Sequence, residues 1–121
     1  MVSALDSQRA RALVTRDPAL LTGVYAGDSP ALATDRSTIR RLADRGWRVA
    51  DARHRVRSAR RLAATRPGIV RIRVVDELPS YPVTDATGTT VGSTPPRAAA
   101  ASVLELVRIG EGYRIRTVEQ V

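Results

Sequence analysis

The 121-residue sequence predicts an α+β fold, in which three short N-terminal helices pack on one face of an antiparallel sheet. Two observations support this prediction. Proline-containing breaks divide the first 45 residues into three apolar segments, and after Gly46 the residues alternate with the period of two that strands require. A chain of this length is expected to form one domain, spanning residues 1–121.

Local start and stop signals bound the predicted helices. Asp6 is expected in the first turn of the first helix, where the helix dipole favours an acid. Asp17 is a good N-cap, and Pro18 suits the first helical position because the N–H that it lacks would be unpaired there. Ser29 repeats the N-cap signal, and Gly46 is placed as a terminating glycine. The predicted helices cover 4–15, 18–26 and 30–45.

The arginine- and alanine-rich segment after Gly46 is predicted to be a strand rather than a fourth helix. Helix propensity alone favours a helix for these residue types. However, Gly46 interrupts the preceding helix, and residues 50–57 alternate between an Ala/His/Val face and a charged face. We therefore predict a long, bent strand over 47–64, with a bulge near Ser58-Ala59, where the alternation changes phase.

The rest of the sheet is predicted from alternation and turn residues. The segment 69–78 is the clearest strand, because valine and isoleucine alternate there with arginine. A loop rich in Pro, Gly and Thr follows, with a small hairpin around 85–88. The strands 98–109 and 113–120 are expected to form a hairpin around the glycines of 110–112.

Composition excludes several classes of function. The chain has no cysteine and one histidine, which cannot build a zinc site, and without lysine it has no phosphate-binding P-loop. We predict no metal site and no cofactor. The net charge of +8 is carried by arginine alone, which we interpret as the codon bias of a GC-rich bacterial genome. No apolar run reaches the ~20 residues that a transmembrane segment needs.

The densest arginine cluster has two interpretations. It could form a platform for nucleic acid or anionic lipid. Trp47 is the one aromatic side chain within it, however, which is too few for a base-stacking platform, and arginine is the only basic residue that this surface uses. The sequence therefore favours a solvated surface and argues against nucleic acid as a partner. The cluster comprises Arg40, Arg41, Arg45, Arg48, Arg53, Arg55, Arg57, Arg60 and Arg61.

Three segments resemble the nuclear transport factor 2-like superfamily: LDSQRARALVTRDPALLTGVYAGDSPAL, RIRVVDEL and VLELVRIGEGYRIRTVEQV. The resemblance implies a cystatin-like cone, a curved sheet capped by helices with a pocket between them, as in ketosteroid isomerase and polyketide cyclases. The whole chain is most similar to uncharacterised domains of high-GC bacteria that often follow a membrane anchor. The resemblance leaves the location open: we expect the chain to be cytoplasmic as given, or extracytoplasmic if it is cut from a membrane-anchored protein. Dimerisation through the sheet is common in the superfamily, which leaves a homodimer open.

Three residues are predicted to line this pocket. Tyr25 closes the apolar face of the second helix, Trp47 opens the long strand, and His54 lies on the face of that strand that bears alanine and valine. The alternatives are structural. Tyr25 and Trp47 would fill space in a core with almost no other aromatic side chain, and His54 would lie at the sheet surface among arginines.

Carboxylates are the other candidate site residues. Enzymes of this superfamily commonly place Asp or Glu in the pocket, which implies Asp35, Asp76 and Glu105 as candidates here. Asp51 is the carboxylate nearest to His54 in sequence, but strict alternation places it on the opposite face and argues against a pair. The alternative for the candidate carboxylates is structural pairing with one of the many arginines.

The favoured hypothesis is a non-catalytic accessory domain that binds a small apolar molecule or a partner segment in its pocket. The alternative is a small acid/base enzyme of the ketosteroid isomerase or polyketide cyclase type, in which His54 would act with Asp76 or Glu105. A third hypothesis is arginine-driven binding of nucleic acid or anionic lipid.

Overall fold

A computed structural model describes residues 1–63 and 66–121 and has the α+β architecture that the sequence predicts, with helices first and antiparallel strands after. The helices are α1 (Val2–Thr15), the 3₁₀ helix η1 (Pro18–Gly23) and α2 (Pro30–Arg45). The strands are β1 (Arg48–Val49), β2 (Arg55–Leu62), β3 (Ile69–Leu78), β4 (Pro82–Thr84), β5 (Thr90–Ser93), β6 (Arg97–Ile109) and β7 (Gly112–Gln120).

The strands form two antiparallel sheets. The larger has the order β2-β3-β6-β7, and the smaller has the order β1-β4-β5. Each pairing of the larger sheet contains a register shift: at Arg57 on β2, between Arg97 and Ala100 on β6, and at Arg116 on β7. Because bulges bend a strand and increase its local twist, these irregularities curve the sheet.

Two groups of buried apolar residues form the core. One joins the helices to the smaller sheet and includes Leu21 and Val24, both fully buried. The other covers the inner face of the larger sheet and includes Leu106. Leu5 and Ile115 pack against both groups and connect them. The helices therefore lie over the inner face of the sheet without filling all of the space above it.

The second helix is shorter than predicted. Asp17 caps it as expected, since its Oδ1 accepts the N–H of Ala19 at 3.0 Å. The prediction of a helix over 18–26 is nevertheless wrong, because η1 ends at Gly23 and the next residues pair with β7. The N–H of Ala26 donates to the carbonyl of Ile115 at 2.9 Å, so sheet pairing replaces the final helical turn.

The prediction of one strand over 47–64 is also wrong, because β1 belongs to the smaller sheet and β2 to the larger one, and residues 50–54 between them are in no strand. The Oδ1 of Asp51 accepts the backbone N–H groups of Ala52 at 2.7 Å and Arg53 at 3.0 Å. This local turn competes with strand pairing. The helical alternative fails as well, since no residue from 47 to 63 is helical.

The bulge in β2 lies at Arg57, directly before the predicted position at Ser58-Ala59. The predicted strand over 69–78 and the small hairpin around 85–88 are confirmed. The C-terminal hairpin, formed by β6 and β7, is confirmed too. Residue 64, the last of the predicted long strand, lies outside the described residues.

Strand β2 forms one edge of the larger sheet. Within the described sheet it pairs with β3 alone, and most of its side chains are exposed. Four arginines lie on this strand, at positions 55, 57, 60 and 61. Arg57 forms an ion pair with Glu77 of β3 at 3.1 Å. The arginine-rich segment is thus largely an exposed sheet edge.

Helix α2 matches its predicted bounds. Ser29 lies at the N-cap position, although its side chain makes no cap hydrogen bond. Gly46 follows the helix with a left-handed φ of 66°, and its N–H bonds to the carbonyls of the last turn. Left-handed backbone is readily adopted by glycine and disfavoured for other residues.

Replacing Gly46 by alanine is expected to lower the free energy of unfolding by about 1 kcal/mol. A Cβ at this position would meet no atom within 4 Å, so the cost is conformational rather than steric. Urea denaturation measures it. Gly27→Ala is the matched control, because its Cβ also meets open space and its φ lies outside the left-handed region. Equal losses in the two variants would contradict the prediction.

Candidate functional site

A cavity of about 320 Å³ lies between the helices and the inner face of the larger sheet. It occupies the space between the two core groups, below α1 and α2. Its walls are mainly aliphatic, and several polar side chains interrupt them. The apolar lining residues are Val2, Leu5, Val24, Ala31, Val56, Val74, Ala100, Ala101, Leu104, Ile115 and Val118.

One polar group of the cavity is a network around Asp35. Arg9 donates through its Nε to Asp35 Oδ2 at 2.8 Å and through a terminal nitrogen to Oδ1 at 3.3 Å. Tyr25 donates its hydroxyl to Asp35 Oδ2 at 2.7 Å. Only 8% of the Asp35 side chain is exposed, so its ion pair with Arg9 is buried. The ion pair joins α1 to α2, and the Tyr25 hydrogen bond adds the segment after η1.

This network raises the pKa of Tyr25 and the pKa of Arg9. Burial and then the negative charge of Asp35 raise the pKa of Tyr25 above its ordinary value of 10.0, so the hydroxyl stays protonated and donates. Burial is the largest influence on Arg9 and opposes its charge, but the charge and hydrogen bond of Asp35, together with Tyr25 and Asp6, outweigh burial and raise the pKa of Arg9. The guanidinium therefore remains charged inside the fold.

A second polar group joins Asp6 to His54, which are 48 residues apart. Asp6 Oδ1 lies 2.7 Å from His54 Nδ1, and Asp6 Oδ2 accepts the backbone N–H of His54 at 2.9 Å. Because α1 begins at Val2, Asp6 lies beyond the first turn, contrary to the sequence prediction, and binds the chain before β2 instead.

This pairing fixes the tautomer of the neutral His54 ring, which lines the cavity. A carboxylate oxygen can only accept, so Nδ1 carries the hydrogen in the neutral ring and Nε2 is left as an acceptor. Among residues 1–63 and 66–121, no side chain or backbone group is hydrogen-bonded to Nε2. The arrangement combines a base, its orienting carboxylate and an adjoining cavity, as general acid–base chemistry requires.

The third polar group pairs Asp76 with Arg97. Asp76 lies on the inner face of β3, opposite Val56 on one side and Ala100 on the other. Arg97 donates to Asp76 Oδ1 at 2.6 Å and to the backbone carbonyl of Asp76 at 3.1 Å. This is the structural pairing that the sequence left open for the candidate carboxylates.

Four candidate residues therefore line the cavity: Tyr25, Asp35, His54 and Asp76. As predicted, Asp51 and His54 do not form a pair. Asp51 binds Arg53 at 2.9 Å instead. That contact, together with backbone N–H groups, lowers the pKa of Asp51.

Trp47 and Glu105 do not line the cavity. Trp47 packs against the helical core group, and the guanidinium of Arg45 lies 4.8 Å from the centroid of its ring. Glu105 lies opposite Arg71, on the outer face of the sheet. Its neighbours Leu104 and Leu106 point inward, so the period of two turns Glu105 outward.

Sequence reasoning missed Asp6, Arg9, Arg97 and Ser102, all of which line the cavity. A signal exists for the first two. They share a helical face with Val2 and Leu5, where an amphipathic helix would otherwise carry apolar residues. Ser102 similarly interrupts the inward-facing aliphatic series of β6.

Ser102 does not complete a nucleophilic triad with His54 and Asp6. Ser102 lies opposite Val74, whereas Val56, two residues after His54, lies opposite Asp76. Ser102 therefore lies two strands away from the chain that carries His54, and about four residues away along the strand direction. These offsets separate the two backbones by roughly 15 Å. In the described part of the chain, no three acidic or histidine side chains form a cluster that could hold a metal ion.

Comparison with known proteins shows the fold alone. No protein-family model matches the chain, and no curated protein matches it in sequence. Aln2 from a Streptomyces species is similar in structure, with a TM-score of 0.56 and 18% identity, over 98% of this chain and 87% of Aln2. Rv3472 from Mycobacterium tuberculosis, described as a protein of unknown function, gives a TM-score of 0.58 and 13% identity, over 99% of this chain and 68% of Rv3472.

No helix within the described ranges has the length and apolar character needed to cross a bilayer.

Proposed function

We propose that residues 1–121 form one nuclear transport factor 2-like domain that binds a small, largely apolar molecule in its cavity as a non-catalytic accessory domain. The observation that supports this proposal best is the cavity itself. Its volume of about 320 Å³ lies at the lower end of the range of about 300–1,000 Å³ typical of small-molecule sites. Mainly aliphatic walls with a few convergent polar groups are also typical of such sites.

The polar lining is compatible with an apolar ligand. Each of the three cavity carboxylates has a partner: Asp35 binds Arg9 and Tyr25, Asp76 binds Arg97, and Asp6 binds His54. These groups keep their hydrogen bonds when water leaves the cavity. Burial of apolar ligand surface would therefore contribute roughly 25 cal/mol of binding free energy per Å², and these carboxylates would not lose their hydrogen-bond partners.

Superfamily membership is supported by two independent observations. The order of helices, bulged antiparallel strands and C-terminal hairpin agrees with the three segments that resemble the superfamily. The cavity also lies between the helices and the sheet, where the resemblance implies a pocket. The two similar structures support a shared fold and add no function.

Acid/base catalysis is a second candidate function, favoured by the Asp6–His54 pair. His54 Nε2 could remove a proton from a carbon next to a carbonyl group and return it two carbons further along, which shifts a double bond without any co-reactant. Asp6 would stabilise the imidazolium formed in between. Asp6 thus takes the partner role that the sequence assigned to Asp76 or Glu105.

Ligand binding is tested by narrowing the cavity. Ala31 lines the cavity from α2, and Ala31→Leu is expected to weaken binding of the neutral fluorescent probe N-phenyl-1-naphthylamine at least tenfold. Ala43→Leu is the matched control, because Ala43 lies on the same helix and is exposed. Fluorescence titration measures both dissociation constants. Absence of saturable binding to the unmodified protein would refute the proposal, as would equal affinity of the two variants.

Catalysis is tested by following the conversion of 3-cyclohexenone to the conjugated 2-cyclohexenone by absorbance. We expect His54→Gln to abolish any turnover and Glu105→Gln to retain it, because Glu105 lies on the outer face. Turnover that survives His54→Gln, or no turnover by the unmodified protein, would exclude His54 catalysis on this substrate. Binding of the neutral probe would then still support the accessory role.

A further inference from the structure

We propose that the cavity selects a ligand whose head group is a hydrogen-bond-donating cation, such as the protonated form of an apolar amine, and discriminates against carboxylate ligands. The inference rests on the proposed function, since it concerns the ligand of the same cavity. It is carried by the charges of the lining residues and by the orientation of the Asp6–His54 pair.

The charges of the residues that line the cavity do not cancel. Asp6, Asp35 and Asp76 contribute three carboxylates, and Arg9 and Arg97 contribute two guanidinium groups. With His54 neutral, the lining carries a formal charge of −1, whereas the whole chain carries +8. The cavity is therefore a negative region inside a strongly positive protein.

The three cavity aspartates differ in whether an arginine neutralises them. Asp35 is neutralised by Arg9 at 2.8 Å, and Asp76 is neutralised by Arg97 at 2.6 Å. Asp6 differs from both, because it binds no arginine in the described structure and its side-chain partner is the neutral imidazole of His54. The uncompensated negative charge thus lies at Asp6, and 14% of that side chain is exposed. In a partly buried setting, such a charge interacts more strongly than it does in water.

The direction of hydrogen bonding at His54 distinguishes between ligand head groups. His54 Nδ1 faces the carboxylate of Asp6, so Nε2 is an acceptor and needs a donor from the ligand. An ammonium group supplies that donor and brings a positive charge toward Asp6. A hydroxyl supplies the donor without the charge. A carboxylate supplies neither and would face the lone pair of Nε2 with a negative charge behind it.

Neither cavity arginine offers a ready alternative site for an anion. The Arg9 guanidinium binds Asp35 through two nitrogens and donates to the carbonyl of Ala52. Arg97 binds the carboxylate and the backbone carbonyl of Asp76 and the carbonyl of Ala98. Each guanidinium keeps further N–H groups, but a carboxylate ligand that used them would approach the aspartate that already neutralises that arginine.

The test uses three ligands with the same tail: octylammonium, 1-octanol and octanoate. Each displaces the neutral probe at pH 8 and 0.15 M salt, where an alkylamine is protonated. We expect octylammonium to bind at least tenfold more tightly than octanol and octanoate to bind more weakly than octanol. Asp6→Asn is expected to bring octylammonium and octanol within about threefold of each other. Glu105→Gln, which removes the same charge from the outer face, leaves the preference unchanged.

Failure of this inference and failure of the proposed function give different results. If octanol displaces the probe and octylammonium is no tighter, the charge preference is refuted and the binding function stands. If octanoate binds most tightly, the inference is overturned. If no ligand displaces the probe and the probe itself does not bind, the proposed function fails. Should Asp6→Asn not fold, as judged by circular dichroism, the preference of the unmodified protein for octylammonium over octanol must shrink as the salt concentration rises, because salt screens the charge of Asp6. A preference that does not change with salt would then refute the inference.

Discussion

Replacement of Asp35 by asparagine is expected to lower the free energy of unfolding by about 3 kcal/mol, the lower end of the range for breaking a buried ion pair from one side. Asparagine has nearly the same size, so little packing is lost. The charge is lost, however, and Arg9 is left as a cation with only 20% of its side chain exposed. The Tyr25 hydroxyl also exchanges an ionised acceptor for a neutral one, which weakens that bond.

Urea denaturation followed by far-UV circular dichroism measures this loss. Asp44→Asn provides the control, since Asp44 lies on the same helix, is exposed and forms no ion pair within the described residues. We expect that control to change the free energy of unfolding by less than about 0.5 kcal/mol. A loss below about 1 kcal/mol for Asp35→Asn would mean that the network around Asp35 contributes little to stability.

Replacement of Leu106 by alanine is expected to lower the free energy of unfolding by about 3 kcal/mol, within the range of 2–5 kcal/mol for such truncations. Leu106 is fully buried on the inner face of β6 and lies opposite Val70 on one side and Ile115 on the other. Because Ile115 packs against both core groups, a void at Leu106 removes contacts from the residues that join them.

The matched control is Ile109→Ala, three residues further along the same strand. Its side chain is 48% exposed, so the expected loss is under about 1 kcal/mol. Thermal and urea unfolding of the two variants measure the difference. A similar loss in both would indicate that β6 contributes through its backbone pairing rather than through the leucine side chain.

The parts of the fold that the sequence predicts well are those set by neighbouring residues. Gly46 ends α2 because only glycine adopts the left-handed backbone easily, and that signal is local. Strand β3 alternates cleanly along its length, and its predicted bounds match the observed ones. The long strand fails for an equally local reason: the turn made by Asp51 competes with pairing, and alternation alone does not reveal that competition.

The candidate site is only partly predictable, because its geometry depends on contacts distant in sequence. Alternation correctly groups Glu105 with the half-buried valines beside it but does not say which face of the sheet meets the helices. Composition alone draws attention to His54. Its partner Asp6 precedes it by 48 residues. The bulge at Arg57 changes the register between β2 and β3 for the residues that follow. Such pairs become visible only once the helices are placed on the sheet.

The arginine-bearing edge strand β2 has a consequence for self-association. An unpaired edge offers backbone donors and acceptors to any second molecule that approaches in an extended conformation, which is the first step toward ordered aggregates. Here an incoming copy of β2 would bring its own four guanidinium groups against those at 55, 57, 60 and 61. The repulsion disfavours edge-to-edge stacking and should keep the protein dispersed at high concentration and low ionic strength.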